Sequence, residues 1–166
     1  CRHHRAVAQA RVTVVQMSNR FLADRVLMVE QQIQHRGLTD ARLLDAFSGV
    51  PRHLFVPPST RRESYEDCPL PIGFGQTISQ PYMVALMTNA LGLLGNERIL
   101  EVGTGSGYQA AILARLAREV HTVELVPELS ARARRVITRL HLHNIFFHVG
   151  DGSLGWPQAA PYDAII

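Results

Sequence analysis

The chain has 166 residues, of which 46% are hydrophobic and 19% charged, the composition of an ordinary globular domain. Lysine and arginine together number 17 and aspartate and glutamate 14, and this small basic excess does not indicate nucleic-acid binding. Two cysteines form no disulfide framework, and no apolar stretch is long enough to span a bilayer. We therefore expect one cytoplasmic domain, with no nucleic-acid or membrane partner, that acts as a monomer.

The N-terminal part of the chain predicts short helices. Residues 1–20 match no pattern that we recognise and are expected to be an extension. Apolar residues at helical spacing predict one amphipathic helix over Met28–Gln34 and a second around Leu43–Phe47. Thr39 and Asp40 precede the second helix as its cap.

A glycine-rich, hydroxyl-bearing stretch, residues 69–82, comes next and leads into a predicted helix over Met83–Leu94. A loop that combines glycine freedom with Thr77 and Ser79 at a helix entry can donate hydrogen bonds to a carboxylate. By residue type alone, a plain capping role for either hydroxyl is the better interpretation.

The most informative motif follows the apolar run that begins at Ile99. It breaks into three alternating glycines, Gly103, Gly105 and Gly107, and then into a helix predicted over Gln109–Arg118. This order predicts a strand, a tight turn and a helix start, where a ligand can lie against bare backbone beside free N–H groups.

The spacing of these glycines selects the ligand class. The dinucleotide fingerprint is G-x-G-x-x-G, whereas this turn is G-x-G-x-G, which weakens a pyrophosphate interpretation. Glu101 at the strand end suits S-adenosylmethionine better, because that cofactor has no phosphates and presents an ammonium and a sulfonium. A glycine-rich turn without a ligand remains the alternative.

Two further strands continue the βα pattern. The strand predicted over Val120–Leu125 places Glu124 near its end, where a carboxylate can accept both hydroxyls of a ribose. A helix starting at Pro127 leads to a strand over Asn144–Val149. Asp151 follows it, either as an acceptor for an adenine amino group or as a turn residue.

These elements predict an α/β fold: a Rossmann-like, doubly wound, mostly parallel sheet of the S-adenosylmethionine-dependent methyltransferase type, with an N-terminal helical segment. Residues 21–95 hold the helices and the glycine-rich loop, and residues 96–166 hold the cofactor-binding βαβ units. A fourth strand is predicted over Tyr162–Ile166. A sheet of four strands would leave an apolar edge unpaired, so we expect this chain to be a fragment whose later strands are missing.

Several segments, in this order, resemble the bacterial protein-L-isoaspartate O-methyltransferases. They are PRHLFV from Pro51, LPIG from Leu70, GQTISQPYM from Gly75, EVGTGSGYQ from Glu101 and GDG from Gly150. The resemblance runs from about Met28 to Ile166. Its Thr-Ile-Ser-Gln-Pro segment is specific to the family, whereas the glycine turn is shared by methyltransferases at large.

The resemblance implies transfer of a methyl group from S-adenosyl-L-methionine to the α-carboxylate of L-isoaspartyl residues in damaged proteins, which starts repair through a succinimide. It implies that Ser79 is the active-site serine. Gln76, Thr77 and Ile78 then form the substrate loop. The implied cofactor-binding positions are Glu101, Gly103, Thr104, Gly105, Ser106, Gly107, Glu124, Asp151 and Gly152.

Two other functions stay open from the sequence: a methyltransferase acting on a small molecule or a nucleic acid, and an inactive cofactor-binding fragment. Four histidines, His121, His141, His143 and His148, lack a Cys or carboxylate cluster at ligand spacing. We expect no metal site and prefer helix-end and surface histidines, with His141 and His143 near a helix end and His148 in a strand.

Overall fold

The computed structural model describes residues 20–166, so the predicted extension lies almost entirely outside the described residues. Helix α1 covers residues 20–27 and continues through a π-helical turn, Met28–Ile33, and a 3-10 turn, Gln34–Arg36. This helical run is longer than predicted because Phe21 also joins the buried core. It ends at Gly37, whose φ of 93° is left-handed.

Helix α2 spans Ala41–Gly49 and begins as the sequence predicts. The Asp40 carboxylate accepts hydrogen bonds from the amides of Arg42 and Leu43 at 2.8 and 3.1 Å. These bonds satisfy two of the orphan donors at the helix start. Two 3-10 turns, Arg52–Leu54 and Pro58–Glu63, connect α2 to the next element.

The glycine-rich stretch contains a β-hairpin that the sequence analysis missed. Strand β1, Leu70–Gly73, pairs antiparallel with β2, Gln76–Ile78, with a bulge between Pro71 and Gly73. Phe74 and Gly75 form the turn with φ values of 55° and 69°, which match the twist of a two-residue hairpin. Proline and glycine inside β1 hide the strand pattern.

Helix α3 spans Pro81–Ala90, earlier than the predicted range 83–94. Proline is well placed in the first turn of a helix, and Gly92, with φ of 60°, lies just beyond the helix end. The N-cap residue is Gln80, whose own side chain makes no capping bond, and the Asp67 carboxylate accepts from the Tyr82 amide in the first turn at 3.2 Å instead. The capping interpretation of Thr77 and Ser79 is therefore wrong.

The remaining elements form the predicted parallel sheet. In chain order they are β3 (Arg98–Val102), α4 (Tyr108–Leu113), β4 (Glu119–Glu124), α5 (Pro127–Arg139), β5 (Ile145–Val149) and β6 (Ala164–Ile165). The strand order is β5-β4-β3-β6, with all neighbours parallel. The order reverses between β3 and β6, and ligands bind at such a switch point in open α/β sheets.

Helix α4 is shorter than the predicted range 109–118, since it ends at Leu113. The Asn144 side-chain amide donates to the carbonyl oxygens of Ala114, Ala117 and Arg118 at 2.9, 3.2 and 3.3 Å. A side chain 30 residues away thus satisfies carbonyls that a longer helix would have paired internally.

One buried cluster connects the N-terminal helices with the sheet layer. It joins Phe21 and Phe47 to Tyr108 of α4 and Leu129 of α5. The rings of Phe47 and Tyr108 meet edge to face at 6.1 Å. Residues 21–95 and 96–166 therefore share core side chains, while the division into these two segments stays a prediction. Among the described residues, we find no helix with both the length and the apolar character needed to cross a bilayer.

Candidate functional site

The glycine turn, residues 103–107, is held by main-chain bonds to the fold. The amides of Gly103 and Thr104 donate to the carbonyl oxygen of Val123, at the end of β4, at 2.8 and 3.2 Å. The amide of Tyr108 donates to Ser106 Oγ at 3.2 Å. The expectation of free N–H groups is wrong for these three amides, because two of them pair with the end of β4 and the third with a side chain of the turn.

The three glycines of the turn serve different purposes. A Cβ on Gly107 would lie 2.8 Å from Ala133 Cβ of α5, so this glycine lets helix and turn pack closely. Its role matches the third glycine of the dinucleotide fingerprint, and the expectation that it leaves room for a ligand is wrong. Gly105, with φ of 52°, faces the hairpin instead, and a Cβ added to it would lie 3.6 Å from Ile72 Cδ1.

Glu124 lies at the end of β4, as predicted, and braces the glycine turn. Its Oε2 accepts from the Gly105 amide at 2.7 Å, and its Oε1 accepts from the Val126 amide at 2.9 Å. The side chain is mostly buried, at 7% exposure. Each carboxylate oxygen has two lone pairs, so acceptor capacity for a ligand remains.

Glu101 lies at the end of β3 and is 3% exposed. The Thr122 hydroxyl donates to its Oε2, and Thr122 in turn contacts the Thr104 hydroxyl at 2.6 Å. Its Oε1 is buried and has no partner within residues 20–166. Burial raises the pKa of Glu101 to about 8, which the bond from Thr122 only partly offsets.

Stability is expected to fall as pH rises from about 6.5 to about 8. In this window the folded chain keeps a proton on Glu101 that the unfolded chain has released, so deprotonation favours unfolding. Below pH 6.5 two histidines make stability rise with pH and so oppose the contribution of Glu101, because burial lowers the pKa of His53 to about 4 and also lowers that of His148. The measurement is Tm against pH at constant ionic strength.

Glu101→Gln keeps the shape of the side chain without its ionisation, so its Tm should lose this slope. The exposed control Glu66→Gln should retain it. A wild-type Tm that stays constant across this window would contradict the buried, protonated state of Glu101.

A cavity of about 230 Å³ opens between the hairpin and the glycine turn. Its walls come from β2 and the following residue, from α3, from the end of β3 with the glycine turn, from α4 and from the residue after β6. The lining residues are Thr77, Ile78, Ser79, Val84, Met87, Glu101, Val102, Gly103, Thr104, Gly105, Ser106, Tyr108, Gln109 and Ile166. The structure therefore brings Ser79 and the glycine turn to one cavity.

Five of the predicted site residues do not line this cavity: Gln76, Gly107, Glu124, Asp151 and Gly152. A Cβ on Gly152 would lie 2.6 Å from Val102 Cγ1, so the loop after β5 folds over the ends of β3 and β4. The exposed Asp151 carboxylate accepts from the Ser153 amide at 2.9 Å, the geometry of a turn residue. This bond lowers the pKa of Asp151.

Two residues that hold predicted site residues in place escaped the sequence analysis. Thr122 is fully buried in β4 and holds Glu101. Strand alternation places Thr122 on the same face as Val120 and Glu124, so a polar residue among buried positions was the signal. The second is Arg52, which is buried and binds the main chain at Ser79. No spacing rule in the sequence connects these two positions.

The histidines lie mostly where the sequence placed them. His141 follows the end of α5, and His148 is part of β5. His121 is buried rather than on the surface, and its Nδ1 lies 2.9 Å from His148 Nε2. Across residues 20–166, no three His, Cys, Asp or Glu side chains are grouped so that they could hold a metal ion.

Comparison with known proteins identifies relatives of this chain. The model of the protein-L-isoaspartate (D-aspartate) O-methyltransferase family matches residues 24–166. A protein-L-isoaspartate O-methyltransferase of Trichlorobacter lovleyi is 57% identical over 139 residues, which are 84% of this chain and 64% of the relative. One of Anaeromyxobacter dehalogenans is 61% identical over 133 residues, 80% of this chain and 64% of the relative. The chain thus spans less than two thirds of the length of these relatives.

Solved structures give the same picture. A protein-L-isoaspartate O-methyltransferase structure superposes with a TM-score of 0.76 at 32% identity, covering 86% of this chain and 47% of the other. A Plasmodium falciparum protein assigned to the same activity, solved in complex with S-adenosyl-L-homocysteine, gives a TM-score of 0.63 at 25% identity. That match covers 74% of this chain and 61% of the other.

Proposed function

We propose that this chain, which belongs to the protein-L-isoaspartate (D-aspartate) O-methyltransferase family, binds S-adenosyl-L-methionine and methylates the α-carboxylate of isoaspartyl residues in damaged proteins. The observation that carries the proposal is the shared cavity, which Ser79 and the glycine turn line together. A hydroxyl donor for one substrate and a bare backbone turn for the other thus meet in one space.

The residues of the cavity fit this cofactor. Glu101 Oε1 lies buried on the cavity wall and has no partner within residues 20–166. A cationic ammonium group bound there would favour the ionised carboxylate and donate a hydrogen bond to it. A related structure also supports this choice, because the Plasmodium falciparum protein was solved with S-adenosyl-L-homocysteine bound. When bound, S-adenosyl-L-methionine supplies an electrophilic methyl group.

We assign cofactor binding to the glycine turn, residues 103–107, with Glu101, Glu124, Asp151 and Gly152. Gly107 would act by packing the turn against α5, and Glu124 by bracing Gly105 while accepting from a ribose. A cavity of about 230 Å³ is smaller than the usual range of ligand pockets, about 300–1,000 Å³. Part of the cofactor must therefore lie outside it, toward Glu124 and Asp151.

The acceptor side of the site consists of Ser79 with Gln76, Thr77 and Ile78. A substrate carboxylate is already ionised near neutral pH, so the transfer requires no general base. The chain must instead orient the carboxylate and remove water from it. Ser79 and Thr77 line the cavity and would donate hydrogen bonds that aim the carboxylate oxygen.

Paired peptides that differ only in aspartyl or isoaspartyl linkage test the function. We expect methyl incorporation from labelled S-adenosyl-L-methionine into the isoaspartyl peptide alone, released by mild base as an ester is. Equal labelling of both peptides, or cofactor binding without any labelling, would contradict the proposal. Those outcomes would favour a methyltransferase with a different acceptor or a non-catalytic binding protein, respectively.

Isoaspartyl-containing proteins are the partners that this function requires. Action as a monomer in the cytoplasm, without nucleic-acid or membrane partners, stays a prediction from composition.

A further inference from the structure

Arg52 is a buried cation that ties together two distant parts of the N-terminal segment. Its Nε donates to the carbonyl oxygen of Ser64 at 2.7 Å, and its Nη2 donates to the carbonyl oxygen of Ser79 at 2.8 Å. The side chain is 0% exposed. One planar guanidinium thus fixes the main chain at Ser79, which lines the cavity.

This guanidinium has no carboxylate partner among the salt bridges of residues 20–166. Its Cζ lies 4.9 Å from the centroid of the Tyr108 ring, a cation-π contact, and its Nη1 is buried without an acceptor. Burial lowers the pKa of Arg52. An apolar side chain of similar volume would fill this place without the cost of burying a charge. The main-chain bonds therefore distinguish the arginine from a simple core residue.

We propose that Arg52 is a positioning residue, which holds the Ser79 main chain so that the Ser79 hydroxyl faces the acceptor side of the cavity. The inference rests on the proposed function. Ser79 follows β2 and precedes α3, and its own side chain is exposed. Without the bond to its carbonyl, the segment between the two elements has more freedom than a carboxylate-orienting donor tolerates.

The geometry requires an arginine. Nε and Nη2 leave the guanidinium in different directions, so one side chain reaches the carbonyls of Ser64 and Ser79 together. A lysine at this position ends in a single ammonium nitrogen instead of the three nitrogens of a guanidinium. Its Nζ falls near the Cζ position of the arginine, one bond away from both Nε and Nη2, so a single ammonium cannot reproduce both short bonds, to Ser64 and to Ser79.

Arg52→Lys in the full chain, assayed with an isoaspartyl peptide, tests the inference. We expect kcat to fall roughly tenfold to a hundredfold, the range for a lost charge-assisted hydrogen bond. KM for the peptide should rise, and Kd for S-adenosyl-L-homocysteine should stay within about twofold of wild type, because the cofactor side is unchanged. Arg42→Lys is the matched control, since Arg42 also binds two carbonyls, those of Leu93 and Leu116, away from the cavity.

A double-mutant cycle with Ser79→Ala separates positioning from general stability. If Arg52 acts through Ser79, the double variant should be no slower than the slower single variant. Multiplicative losses in the double variant, or wild-type peptide kinetics in Arg52→Lys, would overturn the inference. Failure of wild type to methylate the isoaspartyl peptide would instead overturn the proposed function, and the inference with it.

Arg52→Met is a second variant for the case in which the lysine variant does not fold. It keeps the volume and removes the buried charge, which proteins often tolerate. It should bind S-adenosyl-L-homocysteine as wild type does and show the same loss of kcat. A Met variant that folds and turns over at the wild-type rate would also overturn the inference.

Discussion

Gly105→Val is expected to abolish binding of S-adenosyl-L-homocysteine in a calorimetric titration. Gly105 lines the cavity with φ of 52°, a left-handed conformation that a β-branched residue adopts only under strain, about 1–2 kcal/mol or more. A Cβ there would already be in van der Waals contact with Ile72 Cδ1 at 3.6 Å, so the two methyl groups of a valine must displace Ile72 or enter the cavity. Either outcome also disturbs the bond from the Gly105 amide to Glu124.

Gly37→Val is the matched control for this prediction. Gly37 has a left-handed φ of 93° with nothing within 4 Å of a Cβ, at the end of the N-terminal helical run. Its valine variant should lose stability from the same backbone strain and yet bind the cofactor product normally. Normal binding by folded Gly105→Val would show that the cofactor does not lie on the glycine turn.

Ser79→Ala is expected to lower kcat for an isoaspartyl peptide between about tenfold and a hundredfold, the value of a hydrogen bond to a charged group. The hydroxyl donates to the carboxylate without removing a proton, so the pH dependence of kcat should not gain a new ionisation. Kd for S-adenosyl-L-homocysteine should not change, because the glycine turn and Glu101 stay intact. Steady-state kinetics and calorimetry measure the two quantities separately.

Ser48→Ala is the control for the serine substitution, because the Ser48 hydroxyl donates to the Leu44 carbonyl within α2, remote from the cavity lining. It should leave both quantities at the wild-type values. If Ser79→Ala weakened cofactor binding as much as it slowed turnover, this loop would belong to the cofactor site rather than to the acceptor site.

Much of the sheet could be predicted from the sequence because its signals are local. An apolar run, a glycine turn and an acidic strand end follow one another within a few residues, and βα repetition predicts parallel strands. The Asp40 cap is local in the same way, because its partners are the next amides in the chain. Element ends were less predictable: α4 stops at Leu113, where Asn144 from across the fold takes over its carbonyls.

The residues of the candidate site likewise separate into those with local sequence signals and those without. Ser79 and Glu101 entered as candidates through motifs, and the structure places both in the lining of one cavity. Thr122 and Arg52 did not, because each acts on a residue that is distant in the chain: Thr122 on Glu101, and Arg52 on the Ser79 carbonyl. The hairpin was missed because its proline and glycine conceal the strand alternation.

By itself, the sequence determined the family through the resemblance of its motifs. It also determined the parallel α/β class and the positions of the glycine turn and the hydroxyl-bearing loop, because residue spacing within a strand, turn or helix start encodes these features. Only the tertiary structure decided which glycine faces the cavity and which packs on α5, why the pKa of Glu101 is raised, and that a buried arginine holds the loop at Ser79. Burial and long-range hydrogen bonds produce these properties, and both depend on which residues the folded chain brings into contact.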